Sequence, residues 1–99
     1  MRILLAEDEK SLARAIVTIL KKHNYEADAV YNGEDALAYL QSGNYDAAIL
    51  DIMMPGKDGF EALAEIRQFS QLPVIMLTAR SEEYDKLLGF RLGADDYVS

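Results

Sequence analysis

Apolar and polar positions along the chain switch between two periods. "RILLA" (2–6) is a short apolar run with the length of a buried strand. Residues 11–23 place Leu12, Ala15, Ile16, Ile19 and Leu20 at helical spacing, which predicts one buried helix face. "EADAVY" (26–31) alternates polar and apolar, as a strand near a sheet edge does. Asn32-Gly33 interrupts, and 34–42 reads as a helix with Ala36, Leu37 and Leu40 inward, broken by Gly43-Asn44. "DAAILDI" (46–52) is the next buried strand. Asp58 with Glu61 three residues later is a capping-box start, and Phe60, Leu63 and Ile66 give that helix its apolar face. "PVIMLTA" (73–79) is a β-rich run opened by Pro73, a tolerated position for proline in a strand. Ser81, Glu82 and Glu83 open a further helix carrying Leu87, Leu88 and Leu92, and Gly93 stops it. "DYVS" (96–99) begins a fifth strand.

The order is βαβαβαβαβ, which predicts a parallel sheet covered on both faces. In such open sheets ligands sit outside the carboxyl ends of the strands, where the strand order reverses. Acids stand at two of those ends. Glu7 and Asp8 follow the first run, and Asp51 lies inside the third, between Leu50 and Ile52. If the order is 2-1-3-4-5, these three carboxylates converge. Two like charges about 4 Å apart repel by roughly 4 kcal/mol at an effective dielectric near 20, so a shared proton or a cation is needed. Only oxygen ligands are on offer, which favours Mg2+. Asp51 can then act as a nucleophile toward phosphorus, with the metal neutralising the incoming phosphoryl oxygens. The Thr78 hydroxyl, ending the fourth strand, could donate to a phosphoryl oxygen. The turns at Pro55-Gly56 and Asp58-Gly59 would free a carbonyl, that of Met53, to face the metal.

Composition narrows the field. Ninety-nine residues allow one small domain, and the absence of cysteine excludes disulfides and thiolate metal sites. The net charge of −7 argues against direct nucleic-acid binding. No apolar stretch has the length of a membrane span or the form of a signal peptide, so a cytoplasmic location is expected. Each residue also has a plainer reading. Glu7-Asp8-Glu9 fits a solvated helix start, Thr78 an ordinary β-former, and Met53-Met54 loop packing. His23 fits an exposed last helical turn, Asp95-Asp96 a solvated turn, and Tyr97 a core position. The joint placement of three acids and a hydroxyl at adjacent strand ends favours the functional reading.

Taken together, "AED" (6–8), "LDIMMPGKDG" (50–59), "PVIMLTA" (73–79) and "LGADDYVS" (92–99) resemble the receiver domain of bacterial two-component response regulators. The resemblance spans the whole chain. It implies an α/β, flavodoxin-like (receiver-type) fold, an open parallel five-stranded sheet of order 2-1-3-4-5 with helices on both faces. It implies that Asp51 is the phosphoacceptor, and that Glu7, Asp8, Asp51 and the Met53 backbone carbonyl hold Mg2+. Thr78 would follow the phosphoryl group and Tyr97 would switch with it. The donor would be a phosphohistidine on a sensor histidine kinase, or a small acyl phosphate. "LTAR" and "GADDYVS" are most similar to the class in which a winged-helix DNA-binding domain follows the receiver. That class dimerises through its fourth helix, fifth strand and fifth helix, with Lys86, Arg91 and Asp96 as candidates here.

In that family a lysine follows the fifth strand, then proline and a fifth helix, whereas this sequence stops at Ser99. The expectation is a C-terminally truncated receiver with its fifth helix missing, in which metal binding outlasts phosphorylation-dependent switching. Self-association through the uncovered sheet face, or through the fourth helix and fifth strand, is expected too. Three rivals stand beside this reading. An Mg2+-dependent aspartyl-phosphate hydrolase would need an acid where Met53 stands. A flavin-binding domain would need an anion-friendly loop where Glu7-Asp8-Glu9 stands. A phosphorylation-independent interaction scaffold would need neither.

Overall fold

The computed structural model describes residues 1–77 and 93–98. Its elements are β1 (Arg2–Ala6), α1 (Lys10–Lys22), β2 (Glu26–Val30), α2 (Gly33–Ser42), β3 (Ala47–Asp51), α3 (Gly59–Ile66), β4 (Val74–Leu77) and β5 (Asp96–Val98). The five strands form one parallel sheet of order β2-β1-β3-β4-β5. The expected helix after residue 80, with Lys86 and Arg91, lies outside the described residues, as does Ser99.

The chain leaves β1 toward β2 on one side and crosses back from β2 to β3. Right-handed connections therefore put α1 and α2 on opposite faces. The α2–α3 face carries the main core. Leu4, Leu50, Val74 and Met76 from the sheet meet Ala36, Leu63 and Ile66 from the helices. Local chemistry fixes both helix starts. The Asn32 side chain accepts the Asp35 N–H at 2.8 Å, and Asp58 and Glu61 form the reciprocal capping box that their spacing predicts.

The α1 face departs from expectation. Of the predicted buried stripe, Leu12 and Ile19 are 41% and 56% exposed, Ala15 is exposed, and Ile16 and Leu20 are half-buried. Only Ala13 is fully buried. The reason is lateral. Helix α1 lies over β2 and β1, so its apolar stripe overhangs the side of the sheet where Ile49, Ile75 and Leu77 are half-buried. No second helix covers that side among the described residues.

Asp95 is exposed, as a solvated turn residue is, but it also makes structural bonds. Its carboxylate accepts the Val74 N–H at 2.8 Å and an Arg67 N–H at 3.1 Å. Arg67 in turn donates to the carbonyls of Gly93 and Leu72, at 2.7 and 2.9 Å. Together they pin the entry of β5 to the start of β4.

Candidate functional site

Residue Glu7 leaves β1 with its N–H still donating to the Val30 carbonyl at 3.0 Å, so the sheet holds its backbone. Its side chain is 3% exposed, and its carboxylate accepts the Glu9 N–H at 2.9 Å. Glu9 is the N-cap of α1 but gives no side-chain cap, so Glu7 does that work from inside the site. Asp8 is exposed. Asp51 is the last residue of β3 and half-buried. The register pairs Ala6 with Leu50, which sets Glu7 level with Asp51 on adjacent strands.

The chain after β3 is shaped by two glycines. Gly56 sits at φ +71°, a left-handed conformation that side chains disfavour, and makes the first turn. Gly59 opens α3 directly beneath the strand end. A Cβ there would overlap the Asp51 carbonyl oxygen and lie 2.8 Å from the Ile52 Cα. The Gly59 N–H instead donates to the Ile52 carbonyl at 2.9 Å, and Ile52 donates to Leu77 at 3.1 Å. Asp51 is thus held on rigid backbone from both sides.

Oxygen atoms of Glu7, Asp8 and Asp51 all lie within 4.8 Å of one another. Burial pushes the Glu7 carboxyl up to about 7, helped by the Asp51 charge, although the Glu9 N–H opposes the rise. Burial raises Asp51 as well, opposed by hydrogen bonds from Glu7 and the Met53 N–H. Both rises mean that the pair resists carrying two negative charges without a shared proton or a cation. Neither these two nor Asp8 has a salt bridge among the described residues. Lys57, the nearby lysine of the turn, is paired with Glu65 instead. An all-oxygen donor set with surplus negative charge fits a hard divalent cation.

The other expected site residues are less gathered. Met53 follows β3 with its side chain 61% exposed, while Met54 is packed in the core. Thr78 lies outside the described residues. Tyr97 belongs to β5, in register with Met76, and the expectation for its side chain lies outside the described residues. The capping by Glu7 was missed in the sequence because the triplet Glu7-Asp8-Glu9 offers three equivalent acids and no spacing cue to choose among them.

A family model described as "Response regulator receiver domain" matches residues 3–99. The chain is 45% identical over 100 residues to the transcriptional regulatory protein DltR of Streptococcus agalactiae, covering 100% of this chain and 45% of that protein. It is 42% identical over 98 residues to the regulatory protein VanRc of Enterococcus gallinarum, covering 99% and 42%. The chain thus spans less than half the length of these curated relatives. Among solved structures it is similar to the response regulator protein TrrA from Thermotoga maritima in complex with Mg(2+)-BeF. The identity there is 42% and the TM-score 0.89, covering 98% of this chain and 84% of that one. It is also similar to the BeF3-activated N-terminal receiver domain of Klebsiella pneumoniae RstA, at 30% identity and TM-score 0.95, covering 99% and 84%.

Proposed function

This chain belongs to the response regulator receiver domain family, and from that membership we propose that Asp51 accepts a phosphoryl group from a sensor histidine kinase. The observation that carries the proposal is the acidic cluster itself, with Asp51 fixed at a strand end against two further carboxyls. A carboxylate oxygen of Asp51 attacks phosphorus. An O–P bond forms as the N–P bond of the donor phosphohistidine breaks, and the imidazole leaves as its nitrogen regains a proton. Glu7, Asp8, Asp51 and the Met53 carbonyl would hold Mg2+. The metal supplies charge neutralisation for the phosphoryl oxygens.

The residues divide the work. Burial lifts Asp51 and keeps its nucleophilic oxygen poorly hydrated, while the Met53 N–H orients it. Thr78 and Tyr97 carry the response by family resemblance, the one donating to the phosphoryl group and the other reorienting behind it. By family resemblance the receiver would be followed by a winged-helix DNA-binding domain, in keeping with a relative named as a transcriptional regulator. A hydrolytic enzyme of similar chemistry would need an acid two residues past the nucleophile, where this chain has Met53.

Incubation with a small acyl phosphate and Mg2+ should add the mass of one phosphoryl group. The adduct should be lost in Asp51→Asn and on chelation of the metal. Incorporation that survives Asp51→Asn would overturn the assignment, and a folded chain that never gains the mass would favour the scaffold reading.

A further inference from the structure

Strand β2 is an edge of the sheet, paired on one side to β1 and to no strand on the other among the described residues. The Glu26 N–H donates to Met1 and the Val30 carbonyl accepts from Glu7, so residues 26, 28 and 30 face β1. Ala27, which is buried, and Ala29, which is half-buried, therefore turn their backbone N–H and C=O groups away from β1. Both have minimal side chains, and no proline guards the strand.

One stripe of α1 runs beside this edge. Lys10, Arg14, Val17 and Lys21 follow at intervals of four, three and four residues, which is one helix face. They line an open groove of about 510 Å³ whose floor includes Ala27 and Ala29 and whose ends include Tyr31 and Tyr39. The Lys10 ammonium sits 5.1 Å from the centre of the Tyr31 ring. All three cations are on exposed residues and none is in a salt bridge among the described residues. Asp28, which lines the same groove, is hydrogen-bonded by Arg2 and Tyr45 and also feels the Lys21 charge. A chain with formal charge −7 thus gathers three cations, none in a salt bridge among the described residues, along the β2 edge.

We propose that this groove binds an extended acidic peptide segment of a partner protein, added as a sixth strand to β2. The spacing suits it. Residues four apart on a helix rise about 6 Å, and alternate residues of a strand repeat every ~6.7 Å. Carboxylates at alternate positions of the incoming strand therefore meet Lys10 and Arg14, and the far end of the segment meets Lys21. Backbone pairing with Ala27 and Ala29 supplies sequence-independent affinity, and the basic stripe selects charge.

The test uses the chain with a capped peptide of alternating Val and Glu, about seven residues long. Binding should shift the amide resonances of Ala27 and Ala29 and slow their hydrogen exchange. Lys10→Glu with Arg14→Glu, both on the exposed helix surface, should weaken binding at least ~10-fold. Ala29→Pro, which removes an outward N–H, should abolish it. An alternating Pro-Glu peptide has the same charge but lacks half the N–H groups, and should fail to bind. Equal binding of the Pro-Glu peptide would reduce the site to non-specific charge and overturn the proposal. Unchanged affinity in the double charge reversal, or shifts confined to Leu12 and Ile19, would also overturn it. If Ala29→Pro does not fold, the charge reversal and the Pro-Glu peptide decide.

Discussion

Near the amino ends of the strands, Asp28 accepts the Tyr45 hydroxyl at 2.7 Å and Arg2 Nη2 at 2.9 Å, and the guanidinium lies 4.6 Å from the Tyr45 ring centre. At the carboxyl ends of the same sheet, Glu7, Asp8 and Asp51 crowd within 4.8 Å with no cationic side chain bonded to them among the described residues. The two ends push their acids in opposite directions. The Tyr45 hydrogen bond, then Arg2, holds Asp28 below the usual carboxylate range, while burial lifts Glu7 and Asp51 above it. One end is a closed structural network. The other gathers three carboxyls with no salt bridge among the described residues, an arrangement that suits a hard cation.

The sharpest way to separate the ends is metal. Adding Mg2+ at about 100 times its Kd should stabilise the chain by about 2.7 kcal/mol, read as a shift in unfolding midpoint. Asp8→Asn or Asp51→Asn should weaken Mg2+ binding by more than about tenfold, comparable to or beyond the loss from a single outer-shell partner. Asp28→Asn should leave the Mg2+ increment unchanged. An equal loss at Asp28 would erase the distinction between a satisfied and an unsatisfied end.

The second effect is in pH and carries opposite signs at the two ends. Without metal, folded Glu7 keeps its proton up to about 7, whereas its unfolded value is 4.5. Between those values the native state binds more protons than the unfolded chain, so stability falls as pH rises. The full difference is of order 3 kcal/mol by linkage. Glu7→Gln should remove most of this slope. Asp28 behaves in reverse, because its folded value is depressed, and its contribution is lost as pH falls through the region below 3.8. Urea unfolding at about pH 5 and about pH 8 should show the metal-free chain more stable at the lower value. Mg2+ should shrink or reverse that difference, since binding requires the ionised carboxyls. A flat metal-free profile would mean that the acidic end is not strained.

These contrasts also mark what could be read in the residues alone. The alternation of strands and helices follows from local periods, whereas the order 2-1-3-4-5, on which the meeting of Glu7, Asp8 and Asp51 depends, comes from the family resemblance. The Asp58–Glu61 box needs only a spacing of three. The Arg67–Asp95 clamp spans 28 residues and the Arg2–Asp28 pair 26, so neither leaves a periodic trace. Asp95 stands in a polar turn where a solvated and a bonded carboxylate look alike. The exposure of Leu12 and Ile19 was hidden for a different reason. Helical spacing reports that a stripe is apolar, while its burial depends on how far α1 sits toward the β2 edge.

The smallest effect probes the closed end from within. Tyr45→Phe keeps the ring that lies against Arg2 and removes only the hydroxyl that Asp28 accepts. The phenol, raised by burial and by Asp28, is a protonated donor throughout the working range. Its removal should cost about 1 kcal/mol in urea unfolding, the net worth of one hydrogen bond to a charged group at a half-exposed site. Because the Tyr45 bond is the largest influence on Asp28, that carboxyl should climb back toward 3.8 even with Arg2 still in place. Carbon-detected NMR of the Asp28 carboxyl reads the climb directly, and the Mg2+ response of the same variant should match the parent chain. A carboxyl that stays fully depressed would assign the closed end to Arg2 alone, and the phenol would then be a packing group rather than a partner.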